Sequence, residues 1–130
     1  MTKASAIHHF WNGFGIKAYE ENVVYDVDKD GKEIKPEFPY IIYQLSTSDF
    51  GNDVALTASL WYRSSSWVDI NAKTDEISEK IGRGGCFINC KGGSIWIKRG
   101  TPFAQNMGDE SDNLIKRKYI NITAEFFTAD

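Results

Sequence analysis

The stretch from Asp53 to Gly82 leaves this chain little choice of fold. Val54, Leu56, Ala58, Leu60 and Tyr62 alternate with Thr57, Ser59, Trp61 and Arg63, the period-two pattern of a strand buried on one face. Ser64-Ser65-Ser66 breaks the alternation. Trp67, Ile70, Thr74, Ile77 and Ile81 then recur at spacings of three and four, which predicts a helix with one apolar stripe. Ser66 is placed to cap that helix, with Asp69 at its third position completing a capping-box-like pair. Gly82, Gly84 and Gly85 end it without steric penalty. Nothing in the segment is catalytic in character.

The flanking sequence supplies partners for this unit. Ile7, Phe10, Trp11, Phe14 and Ala18 follow helical spacing, which predicts a helix over Ala4–Glu20, although Gly13 and Gly15 each cost about 1 kcal/mol in a helix interior. Asn22–Phe38 is polar and turn-rich, with Asp30-Gly31 a hairpin signal. Pro39 opens a strand that Tyr40–Leu45 continue, and the polar link Ser46–Asp53 lets it pair antiparallel with the strand that follows. Cys86–Cys90 and Ile95–Lys98 flank Lys91-Gly92-Gly93-Ser94, a compact hairpin. Gly100–Asn113 reads as a polar loop. Ile120, Ile122, Ala124 and Phe126 alternate along a last strand, Lys116–Phe127. The order α-β-β-α-β-β-β describes one α+β domain over residues 1–130: a mainly antiparallel sheet of about five strands, with two helices packed on one face.

Composition bounds the function. At 130 residues the chain is long enough to bury a core unaided, and 42% hydrophobic with 25% charged residues is an ordinary globular balance. The 14% aromatic content suits a core, and it equally suits protein–protein contacts, where Trp and Tyr carry much of the energy. A net charge of −3 and a pI near 5.4 argue against a general nucleic-acid binder, and no sequence-specific contact with nucleic acid is expected. The short basic runs Lys98-Arg99 and Lys116-Arg117-Lys118, with Asp109, Glu110 and Asp112 between them, read as solvated strand and loop ends. No secretory leader pattern opens the sequence, and no run approaches the roughly 20 apolar residues of a membrane span, so no membrane partner is expected. Cys86 and Cys90 on one strand stand about 13 Å apart, too far to bridge, so reduced thiols are expected.

One motif offers chemistry. Asp26-Val27-Asp28-Lys29-Asp30-Gly31 followed by Glu37 fits the calcium-loop pattern, with Asp26, Asp28, Asp30 and Glu37 as oxygen ligands. The context disagrees: Glu33 holds the position usually aliphatic, Pro36 and Pro39 block the exiting helix, and no second loop exists. A solvated turn competes with calcium binding outside an EF-hand. His8-His9 point about 100° apart on a helix with no third ligand at hand. Cys86 and Cys90 lack a second pair for zinc, and Ser64–Ser66 lack a nucleophile elbow. Gly82-Arg83-Gly84-Gly85 ends a helix, where the dipole has the wrong sign for phosphate. No cofactor is indicated, and an enzyme is not expected.

Several runs are similar to the tail terminator (tail completion) proteins of long-tailed phages and prophages. They are Asp49–Trp67 (DFGNDVALTASLWYRSSSW), Gly93–Gln105 (GSIWIKRGTPFAQ) and Tyr119–Phe126 (YINITAEF), joined by Ala18–Asn22 and Phe38–Tyr43. The resemblance implies a structural α+β subunit of the virion tail, made in the host cytoplasm, that assembles with itself into a ring, typically a hexamer. Such a ring caps the tail tube, ends its polymerisation and presents a surface to the head-completion protein. A neck or head–tail joining protein of the same particle shares this size and architecture. The resemblance carries no role onto Asp26–Glu37. A closed head-to-tail ring needs two different surfaces on each subunit. On the outward side of the sheet, Trp61, Arg63, Trp96 and Lys98 mix aromatic and basic groups as interfaces do, and Arg99 is grouped with them. Phe50 and Phe103 lie in the long loops Ser46–Asp53 and Gly100–Asn113, within reach of a neighbour.

Overall fold

In the computed structural model, which describes residues 1–21, 26–48, 50–108 and 111–129 (of Asp26, the backbone alone), the alternation at 53–63 becomes one long strand, β5 (Asp53–Arg63). Leu56, Ala58 and Leu60 are buried on one side, as period two requires. The helical stripe becomes α2 (Val68–Ile81), with Ile70, Thr74, Ile77 and Ile81 buried. The remaining elements are α1 (Lys3–Asn12), β1 (Lys17–Glu20), β2 (Asp26–Val27), β3 (Glu33–Ile34), β4 (Tyr40–Tyr43), β6 (Cys86–Cys90), β7 (Gly93–Gly108) and β8 (Ile115–Thr128).

Six strands form one curled, mixed sheet in the order β1-β4-β5-β8-β7-β6. Only the β1–β4 pair is parallel; β5 and β8 pair over the whole length of β5, from Asp53↔Glu125 to Arg63↔Ile115. One face carries Leu56, Leu60, Ile95, Ile97, Ile120, Ile122 and Phe126, and both helices pack there through Ile7, Phe10, Trp11, Ile70 and Ile77 in a single core. The fold is therefore α+β with its helices on one side, and the other sheet face has no covering layer among the described residues. β2 and β3 form a separate two-stranded ribbon. It turns at Asp28–Lys32 with Gly31 at φ +80°, as the Asp30-Gly31 signal predicts.

Several expectations are corrected. The first helix stops at Asn12, not Glu20. The Gly13 N–H closes its last turn on Phe10 O (3.3 Å), Gly15 takes φ +82°, and Ala18 reaches the core from a strand. The sheet consequently has six strands rather than five. The expected polar loop at 100–113 is mostly strand: β7 runs on to Gly108, and the irregularity between Arg99 and Ala104 accommodates Pro102, whose missing N–H fits only such a break. Ser66 does not cap α2 in a capping box. Trp67 occupies the cap without a side-chain bond, and Ser66 Oγ accepts the Val68 N–H at 3.4 Å.

Candidate functional site

The uncovered sheet face is built by strand register. Tyr40, Trp61 and Arg117 are cross-strand partners on β4, β5 and β8, and Phe87, Trp96 and Glu125 are partners on β6, β7 and β8. Side chains opposite one another across adjacent strands share a face. Two aromatic groups result.

In the first, Tyr40 and Trp61 stack at 6.3 Å, and the Arg117 guanidinium lies 5.0 Å from the Trp61 ring and 5.5 Å from Tyr119. Arg117 Nε donates to Ser59 Oγ at 2.9 Å, which fixes the cation over the rings. Arg63, at the end of β5, is paired with Asp112. That hydrogen bond, with the Leu114 N–H, holds the Asp112 carboxyl below its usual range.

The second group is the more exposed. Phe87 stacks on Trp96 at 5.5 Å, Phe127 lies 6.3 Å and 6.4 Å from the two, and Phe50 meets Phe127 edge-on at 6.1 Å. Phe50 is 67% exposed and Phe87 61%. Lys98 Nζ sits 4.3 Å from the Trp96 ring and 3.1 Å from Glu125. The indole is tied down as well: Trp96 Nε1 donates to Gly84 O at 2.9 Å. Gly85, at φ +85°, must be glycine, because a Cβ there would come within 2.5 Å of that nitrogen and 2.6 Å of Ile97 O. Aromatic side chains gathered on a solvent face make it the candidate interaction surface of this chain.

Of the residues expected at a contact, the structure gathers Trp61, Arg63, Trp96, Lys98 and Phe50 on or beside this face. It places two elsewhere. Arg99 falls on the helix side, where its Nε and Nη2 donate to Ser78 O (3.2 and 2.8 Å) at the carbonyl end of α2, a favourable place for a cation. Phe103 is half-buried against the core. The run 116–118 splits by parity: Arg117 joins the open face, while Lys116 and Lys118 flank the Trp67 ring at 5.8 and 5.7 Å. Burial lowers the pKa of Lys118 there. Asp109 and Glu110 lie outside the described residues. Phe87, Phe127, Tyr40 and Tyr119 were not foreseen; pairing the predicted strands face by face would have found Phe87 and Phe127.

The acidic turn is held by its own backbone. Asp28 Oδ1 accepts the N–H groups of Asp30 and Lys32, both at 2.9 Å, and Asp30 and Glu37 stand exposed. The Asp26 side chain lies outside the described atoms, and no group of three His, Cys, Asp or Glu suited to a metal occurs among the described residues. Calorimetric titration with Ca²⁺ is expected to give no binding heat at millimolar calcium; a saturating isotherm would establish the calcium reading instead. His8 Nδ1 lies 2.8 Å from Tyr43 Oη, and burial together with Glu20 pushes the Tyr43 pKa up to about 12. Both cysteines are free, and burial raises the pKa of Cys86 against the pull of Lys80. Among the described residues no helix is long and apolar enough to cross a membrane. No protein-family model matches the chain, and no curated protein matches it in sequence.

Proposed function

We propose that this chain is a non-enzymatic structural subunit of a long-tailed phage tail, the terminator that closes the tube. Copies assemble into a ring, six in the arrangement the sequence resemblance implies, seated on the tail tube protein and offering its far side to the head-completion protein. The observation that carries the reading is the pair of partly exposed aromatic groups on a sheet face that the chain's own helices leave open. A subunit that works by fitting needs such a surface, and the similarity of Asp49–Trp67, Gly93–Gln105 and Tyr119–Phe126 to tail terminators says which kind of partner it meets. Neither a catalytic constellation nor a cofactor enters this account, and it needs no sequence-specific contact with nucleic acid.

Deleting the gene from its phage or prophage and imaging the particles tests the reading. Overlong or aberrant tails are the expected result. Tailless heads beside tails of normal length would assign the chain to the head–tail joint instead, and intact virions would sink both assignments.

A further inference from the structure

The six-stranded sheet has two edges, and they are not alike. β1 is closed off: it is four residues long with Lys17 and Glu20 at its ends, and its Ala18 N–H donates to Asn12 Oδ1 at 3.3 Å. Shortness, charge and a side-chain cover are how proteins blunt an edge. β6, at five residues, is nearly as short but lacks the charge and the side-chain cover. Cys86–Cys90 contains no charged residue and no proline, and it pairs with β7 without a bulge.

Backbone direction at β6 follows from alternation. Gly92 O accepts the Ala129 N–H, so the even residues at the start of β7 turn toward β8 and the odd ones toward β6. Cys86, Ile88 and Cys90 therefore bond to β7, and the N–H and C=O of Phe87 and Asn89 point outward. Lys91, next on the outward side, gives its N–H to Met1 O at 2.6 Å; Phe87 and Asn89 have no such partner among the described residues.

The β2–β3 ribbon leaves the sheet between β1 and β4, at the opposite edge. Its Val27 and Ile34 are 55% and 44% exposed. A two-stranded ribbon that leaves its aliphatic side chains this exposed is marginal in water on its own. Charge distinguishes the two ends. Residues 26–37 hold five acids and three lysines, whereas 79–91 hold Lys80, Arg83 and Lys91 against Glu79 alone. None of those three cations has an ion pair among the described residues. Beside β6 a groove of about 350 Å³ runs between Phe10, Phe14, Ile88 and Lys80, apolar with a cation at its wall.

We infer that β6 accepts the β2–β3 ribbon of a second copy, so that copies join head to tail by extending one sheet into the next. The pairing supplies main-chain hydrogen bonds to Phe87 and Asn89, gives the groove an aliphatic side chain and sets acids against unpaired cations. It is a heterologous contact, the kind that closes a ring, and it rests on the ring reading above.

Proline tests it without touching the existing ladders. Asn89→Pro removes an outward N–H from β6. Val27→Pro with Glu33→Pro does the same on both ribbon strands, because the Asp28–Lys32 bond turns 27 and 33 outward. In sedimentation at high micromolar concentration the wild type is expected to assemble and each variant to stay monomeric with unchanged circular dichroism. Mixed one to one, the two variants form a heterodimer and nothing larger, since one ribbon and one edge remain. Should a proline variant misfold, Lys80→Glu with Lys91→Glu leaves the backbone alone and is expected to weaken assembly about tenfold. Assembly untouched by all of these variants overturns the edge pairing and leaves the ring reading standing. Folded variants whose mixture stays monomeric overturn the pairing alone, and a monomeric wild type overturns both.

Discussion

Trp11→Ala is expected to lower the stability of the folded chain by about 3–5 kcal/mol, read as a shift in the urea midpoint. The indole is fully buried. It meets Phe10 edge-on at 5.0 Å, stacks on Tyr43 at 6.5 Å and touches Phe14, so it joins the end of α1 to β4. Its removal leaves a cavity under the one helix that covers the β1–β4 corner. A domain of this size is stable by about 5–15 kcal/mol, so the loss is a large fraction of the whole. Trp11→Phe separates packing from polarity. The Trp11 Nε1 is buried with no hydrogen-bond partner among the described residues. Phenylalanine gives up volume but also relieves that unpaired donor, and it is expected to cost less than half as much. Equal losses for the two variants would show that the indole volume is not what matters.

Trp11 also shows where sequence periodicity succeeds and where it stops. Ile7, Phe10 and Trp11 form a true helical stripe, and their burial was legible. Phe14 and Ala18 continue the same spacing and are buried too, yet through a turn and a strand. A spacing of four satisfies either arrangement, and the choice is made by Gly13 and Gly15 together with the parallel pairing of β1 on β4, which is non-local. The second half of β7 was hidden for a related reason. Gln105 and Met107 share the open face with Tyr119 and Arg117, and Asn106 lies beside Lys118. A strand exposed along much of its length has no apolar alternation to display. The strand–helix unit at 53–82 had both kinds of contrast, and its boundaries came through almost intact.

The candidate surface was half legible. Alternation put Trp61 and Arg63 outside because Leu56, Ala58 and Leu60 had to go inside. The same rule separates Arg99 from Lys98, since neighbours on a strand face opposite ways; grouping them as one basic run obscured it. What a single strand pattern lacks is register. Phe87, Trp96 and Phe127 come from three strands, and only their pairing makes them one patch.

Trp61→Ala and Trp96→Ala are each expected to weaken self-assembly by about 2 kcal/mol, roughly 30-fold in the association constant by light scattering, the scale of a central aromatic anchor. The two tryptophans sit in different groups: Trp61 on the ribbon side of the open face, Trp96 on the β6 side. Their consequences within one copy differ, and that difference makes the comparison informative. Trp96 ties the turn after α2 through Gly84 O and stacks on Phe87, so its loss also lowers the melting temperature of the isolated chain. Trp61 lies half-buried between Tyr40 and Arg117, its side chain making no hydrogen bond among the described residues, and its removal leaves Arg117 held by Ser59. Stability is then expected to fall less for Trp61→Ala than for Trp96→Ala, while assembly suffers alike. An assembly state unmoved by both substitutions would take the aromatic face out of the subunit contact. Loss confined to Trp96→Ala, in step with its stability, would mean that the β6 edge alone joins the copies and that the Tyr40–Trp61–Arg117 group serves the tube or the head.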